Sequence, residues 1–162
     1  MRGSILISTL ALGCSHYGWA DRSDSSTATG VSVQTISVPA DRGVDADALT
    51  LRLVGSLQRA GWAGARWSND RLEHGVQCSI DDFRDHGFGR AIEISATISC
   101  TLGPDSNGVT IQRRVNDSSW LRTDRLPSDL KKAYQEVSMT AVESIVFDLA
   151  TALEMENNHG QT

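Results

Sequence analysis

The sequence predicts an α+β fold, a two-layer sandwich with two helices packed on one face of a four-stranded mixed sheet, in the order β-α-β-β-β-α. Three observations lead there. Residues 75–84 and 91–102 alternate between apolar and polar side chains, as strands buried on one face do. Residues 44–62 and 127–155 repeat apolar positions at helical spacing. In the order strand, helix, strand, strand, strand, helix, two helices cover one face of a mainly antiparallel sheet, which is an α+β sandwich.

The elements follow in chain order. VSVQTISVP (31–39) is rich in β-branched residues and stops at Pro39, so it reads as a strand. VDADALTLRLVGSLQRAGW (44–62) reads as a helix with Asp45 or Asp47 as cap, Leu49, Leu53, Leu57 and Ala60 on one face, and Gly61 just past its end. Gly55 inside it is expected to allow close packing on the sheet. Residues 63–74 carry no clear pattern. In 75–84, Val76, Cys78 and Ile80 share a face, and DHGFG (85–89) reads as the turn after it. In 91–102, Ile92, Ile94, Ala96, Ile98, Cys100 and Leu102 oppose Glu93, Ser95, Thr97, Ser99 and Thr101. GPDSNG (103–108) is a turn, and VTIQRRV (109–115) is a strand with Val109, Ile111 and Val115 inward. Pro127 and Ser128 open a long helix whose apolar stripe is Leu130, Tyr134, Val137, Ala141, Ile145, Leu149 and Ala152. Residues 156–162 are expected to be a disordered tail.

The N-terminus organises differently. Arg2 precedes an apolar run, SILISTLAL (4–12), which matches a secretory leader and is far short of the ~20 residues that span a bilayer. The run ends LALGC, which resembles a bacterial lipobox. Cys14 is then the acylated first residue of the mature chain, and 1–13 is a lipoprotein-type signal peptide. The alternative is a buried thiol in an N-terminal core element. The polar stretch 15–30 argues for a linker, because a core element seldom ends that way. Several acyl chains would hold the protein to a membrane without a span. The domain proper is 31–155.

At 162 residues and 40% hydrophobic composition the chain suffices for one folded domain. A net charge of −5 argues against a nucleic-acid binder. No dinucleotide fingerprint, P-loop, paired-histidine zinc motif, C-x-x-C or serine elbow occurs, so the sequence suggests no enzyme and no cofactor. Asp81, Asp82, Asp85 and His86 are metal-capable residues without ligand spacing, and read as solvating a hairpin tip rather than as a metal-binding or hydrolase site. The stretch 113–132 is the most basic of the chain. Its Arg113, Arg114, Arg122, Arg125, Lys131 and Lys132 are candidates for anion or lipopolysaccharide contact, against the alternative of a solvated surface. If the second and third predicted strands form a hairpin, a register with partner numbers summing to 178 keeps every apolar residue on one side and sets Cys78 opposite Cys100. That makes a disulfide candidate in an oxidising compartment, with two packed thiols as the alternative.

LGC followed by HYGW, then VQTISVPADRG, a helix beginning DADALT, GVQCSIDDFRD, two further strands and a long last helix together resemble the LptE family of lipopolysaccharide-assembly lipoproteins. The resemblance implies a non-enzymatic outer-membrane lipoprotein facing the periplasm. Its partners would be a β-barrel translocon of the LptD type, which it plugs and helps assemble, and lipopolysaccharide itself. Cys14 is the one residue the resemblance assigns firmly, as the lipid anchor. A generic envelope adaptor of similar build is the competing reading.

Overall fold

The computed structural model describes residues 30–69, 75–88, 91–103, 108–122 and 127–159. It is an α+β sandwich with a mixed sheet and two helices on one face. The strands are β1 (Ser32–Val33), β2 (Arg66–Trp67), β3 (Gly75–Phe88), β4 (Ala91–Leu102) and β5 (Thr110–Arg122); the helices are α1 (Ala46–Arg59) and α2 (Pro127–His159). The sheet has five strands, not four, in the order β2-β1-β3-β4-β5. The added strand β2 lies in the patternless 63–74 stretch. It pairs parallel to β1 and is two residues long, too short for any periodicity to reveal.

The first predicted strand is mostly irregular. Only Ser32–Val33 forms a strand, with one further bridge from Ser37 to Ser79. The reason is a hydrogen bond that leaves the sheet. Ser37 N–H donates to the Cys78 carbonyl at 3.0 Å, but the Ile36 N–H donates to Thr50 Oγ1 on α1, also at 3.0 Å. The chain turns there to bury Ile36 under the helix layer, and the ladder breaks.

Helix α1 starts where its cap dictates. Asp45 accepts from the Ala48 N–H at 3.0 Å. At its other end the Trp62 N–H reaches the Leu57 carbonyl and the Gly61 N–H reaches that of Gln58, with Gly61 at φ +104°. This is a Schellman closure, and it needs the left-handed residue that glycine supplies. Leu49, Leu53 and Leu57 are buried, whereas Ala60 is exposed at the cap. Gly55 does not serve close packing on the sheet: a Cβ there would meet only the Arg59 guanidinium, at 3.6 Å.

The β3–β4 pairing has the expected register, with Val76, Cys78 and Ile80 opposite Leu102, Cys100 and Ile98. The hairpin is longer than the sequence suggests. β3 runs on through 85–88, so IDDFRDHG is strand and not tip. It does so through a bulge. Asp81 pairs with Thr97 and Arg84 with Ser95, so Asp82 and Phe83 together oppose one residue, and Asp82 takes φ +50°. The bulge resets the alternation and turns Phe83 toward the helices, where it meets Tyr134 edge-on with ring centroids 5.3 Å apart.

β5 extends to Arg122, with a second irregularity where Ile92 and Ile94 face Leu121 and Asp117. Val109, expected inward, lies just outside the strand and is 60% exposed, although its carbonyl accepts from the Leu102 N–H. Gly108 must be glycine, because a Cβ would overlap the Leu102 carbonyl. Helix α2 continues to His159, so residues 156–159 belong to the helix and not to a tail. It lies over β4 and β5, while α1 covers the β1–β2 side and packs on α2. Leu49, Leu53, Leu57, Ile80, Ile98, Val137, Ala141, Ile145 and Leu149 are among the core residues with no exposed surface. Arg52 of α1 pairs with Glu143 of α2 across the outer surface.

Candidate functional site: the open face of the sheet

The alternation that buries Ile94, Ala96, Ile98, Cys100 and Leu102 beneath the helices leaves the other face of the sheet polar. Ser95 and Thr97 on β4, Asp81 on β3, and Gln112, Arg114 and Asn116 on β5 form this open face. Cross-strand hydrogen bonds tie it together. Gln112 Nε2 donates to Ser99 Oγ at 3.2 Å, Arg114 Nη2 donates to Ser95 Oγ at 3.2 Å, and the Thr101 and Thr110 hydroxyls lie 3.4 Å apart. A shallow pocket of about 220 Å³ sits on this face, lined by Glu93, Ser95, Arg114 and Asn116. It offers one cation, one anion, one amide and one hydroxyl, a set that can hydrogen-bond polar ligands from either side.

The bulge supplies a second charged group nearby. Arg84 donates from Nε to Asp82 Oδ1 at 3.0 Å and contacts Oδ2 at 2.9 Å. That hydrogen bond, above all, holds the Asp82 carboxyl below its ordinary value, and the charge of Arg114 adds to the shift. Ser79 Oγ donates to Asp81 Oδ2 at 2.6 Å. Asp81 and Asp82 are thus partnered within the sheet. Among the described residues no group of three or more His, Cys, Asp or Glu is placed to hold a metal ion. Asp85 and His86 are described by their backbone alone, in β3.

Among the described residues the candidate cations do not come together. Arg113 and Arg114 stand on opposite faces of β5. Arg113 lies on the helix side and clamps Asp148 of α2 with two bonds, Nε to Oδ2 at 2.6 Å and Nη2 to Oδ1 at 3.1 Å. Lys132 is 3.7 Å from Glu136 one turn on, and the stem of Lys131 lies over Gly43. Lys131 and Asp148 are seventeen residues apart on one helix, roughly 25 Å by helical rise. Arg122 is described by its backbone alone, and Arg125 and Cys14 lie outside the described residues. Among the described side chains, Arg114 is therefore the candidate cation at the open-face pocket. Cys78 and Cys100 are joined by a disulfide with S–S 2.04 Å, on the buried side of the sheet.

Sequence reasoning missed two features. The Arg113–Asp148 clamp joins residues 35 apart, which no local pattern connects. Its electrostatics are testable. The hydrogen bond and charge of Arg113 lower the Asp148 pKa. A carboxylate depressed in the folded state adds stability above its unfolded value, and that share is lost as pH falls through the folded value. Asp148→Asn should therefore lower the urea midpoint at neutral pH and narrow its gap to wild type in acid. A gap independent of pH would show that the clamp contributes no charge energy. The second feature is the Arg42–Tyr134–Phe83 stack, in which Arg42 Nη1 donates to the Tyr134 hydroxyl at 2.6 Å and its guanidinium lies 4.9 Å from the ring centroid. Its only hint was a broken alternation, since Ile80 and Phe83 are three residues apart and still face one side.

No family model and no curated protein sequence matches the chain. Solved structures do. A Xanthomonas campestris protein of the DUF330 family matches with TM-score 0.57 at 10% identity, over 80% of this chain and 87% of that one. A lipoprotein-named protein from Caulobacter crescentus CB15 matches with TM-score 0.45 at 18% identity, over 76% and 91%. A PelC dodecamer from Paraburkholderia phytofirmans matches with TM-score 0.44 at 12% identity, over 75% and 87%. The Xanthomonas match shows a shared fold and nothing further. None of these names is that of the lipopolysaccharide-assembly family that the sequence resembles.

Proposed function

We propose that this chain is a non-enzymatic, lipid-anchored lipoprotein of the outer membrane that assembles with a β-barrel translocon in lipopolysaccharide transport. The observation that carries the reading is the N-terminal sequence, an apolar leader ending LALGC before a polar linker. The resemblance of 14–155 to the LptE family supplies the finer role; the β-α-β-β-β-α order it implies differs from the fold by the two-residue strand β2 after α1. In this reading attachment rests on the acyl chains of Cys14. On the domain, the polar open face around Arg114 is the surface offered to a phosphate-bearing or hydroxyl-rich ligand.

The test has two stages. Intact mass of the chain from a membrane fraction should show a mature protein beginning at residue 14 and carrying acyl mass, lost in Cys14→Ser. Detergent pull-down should then recover a large β-barrel partner. An unprocessed chain overturns the anchor. An acylated chain that brings down a different envelope complex overturns the translocon role and leaves the adaptor reading.

A further inference from the structure

The sheet ends differently on its two sides. The β2 edge is two residues long, whereas the β5 edge is thirteen. The Leu102 N–H donates to the Val109 carbonyl, which makes 102 and 109 a hydrogen-bonded pair. With partner numbers in this segment summing to 211, the odd residues of β5 bond to β4. The N–H and C=O groups of Thr110, Gln112, Arg114 and Asn116 therefore point off the edge of the sheet. A long, regular row of such groups is a template for another strand.

We propose that β5 pairs antiparallel with β5 of a second copy of this chain, about a two-fold axis at Val115. The inference is independent of the transport role proposed above. An isologous contact sets each residue against its two-fold mate. Centring on Arg113 or Arg114 would set like charges directly opposite. Centring on Val115 sets Val115 against Val115, Arg114 against Asn116, and Arg113 against the aspartate at position 117. The hydrogen-bond parity agrees: 114 and 116 both point off the edge and form the bonded pairs, while 115 is a non-bonded pair with close side chains.

The helices accept this arrangement. Antiparallel pairing about a two-fold stands the axis perpendicular to the sheet, so both helix layers lie on one side. α2 packs on both β4 and β5, hence above the gap between them. With strands about 4.8 Å apart, the two α2 axes come to lie about 10 Å from each other, the normal separation of packed helices. The flank of α2 that turns to β5 is marked by Asp148. Met155, two turns on and 60% exposed, lies on the same flank, with Phe147, 78% exposed, at its shoulder. The seam between the two helices gives these apolar side chains cover.

Sedimentation equilibrium of the full-length chain in detergent tests this. Wild type should sediment at twice the single-chain mass that intact-mass analysis gives, once bound detergent is subtracted. Arg114→Pro removes one outward N–H, spares the bonds to β4, and should sediment as a monomer with unchanged circular dichroism. Should that variant fail to fold, Val115→Cys in a Cys14→Ser background gives a second reading. Its added thiol is the only one outside the Cys78–Cys100 disulfide and should form an interchain bridge on mild oxidation, whereas Leu51→Cys should not. A wild-type monomer at every concentration overturns the proposal. So does a dimer that never links through position 115, or a monomer held by a different protein.

Discussion

Reducing the Cys78–Cys100 disulfide should lower the stability of the domain by about 3 kcal/mol, as expected for a loop of this length. The bond spans 22 residues and closes the β3–β4 hairpin, the central pairing of the sheet. In the unfolded chain it removes the cost of bringing two distant strand segments together, so most of its effect lies in the denatured state. The folded state loses little by comparison, because two thiols on the buried side pack as small apolar groups. Cys78 and Cys100 are 1% and 0% exposed, so reductant must act on the unfolded chain. Urea unfolding after refolding with and without reductant measures the difference. Coincident midpoints would show that the crosslink is thermodynamically idle.

Thr50→Val should cost about 1–3 kcal/mol despite an almost unchanged side-chain volume. Thr50 is fully buried in α1. Its hydroxyl accepts from the Ile36 N–H at 3.0 Å and donates to the Ala46 carbonyl at 2.8 Å. The Ala46 carbonyl belongs to the helix and keeps its ladder partner. The Ile36 N–H has turned away from the sheet, and valine leaves it buried without an acceptor. Thr50→Ser restores the hydroxyl and should recover most of the loss. Chemical denaturation of the three proteins decides the point, and equal stability of the valine and serine variants would remove this hydrogen bond from the account of why β1 is short.

Both expectations bear on how much the sequence could reveal. The alternation of 94–102 between apolar residues and Ser or Thr assigned each residue to a face, because a strand buried on one side has no other way to place those side chains. The same rule set the β3–β4 register and brought Cys78 opposite Cys100. It stopped working where the backbone left regular geometry. At Asp82 and Phe83 two residues oppose one, so counting by twos runs out of phase. At Ile36 the choice between sheet and helix as acceptor depended on Thr50, fourteen residues away. The candidate site divided likewise. Adjacent arginines on a strand must face opposite ways, which is local. That Arg113 would be consumed by Asp148 while Arg114 borders the open-face pocket required knowing which face the helices cover.

Short-range pattern was enough for the α+β class, the two long helices with a first helix capped at Asp45 or Asp47 and closed at Gly61, the apolar faces of 76–80 and 94–102, and the register of the central hairpin. All of these follow from periods of two or 3.6 residues and from capping chemistry, which act within a few neighbours. Only the tertiary structure decided the fifth strand, the early break in β1, the bulge that swings Phe83 onto Tyr134, and the partners of the cations. Those depend on contacts between residues distant in the chain, where burial and the need to pair every polar group outweigh local preference.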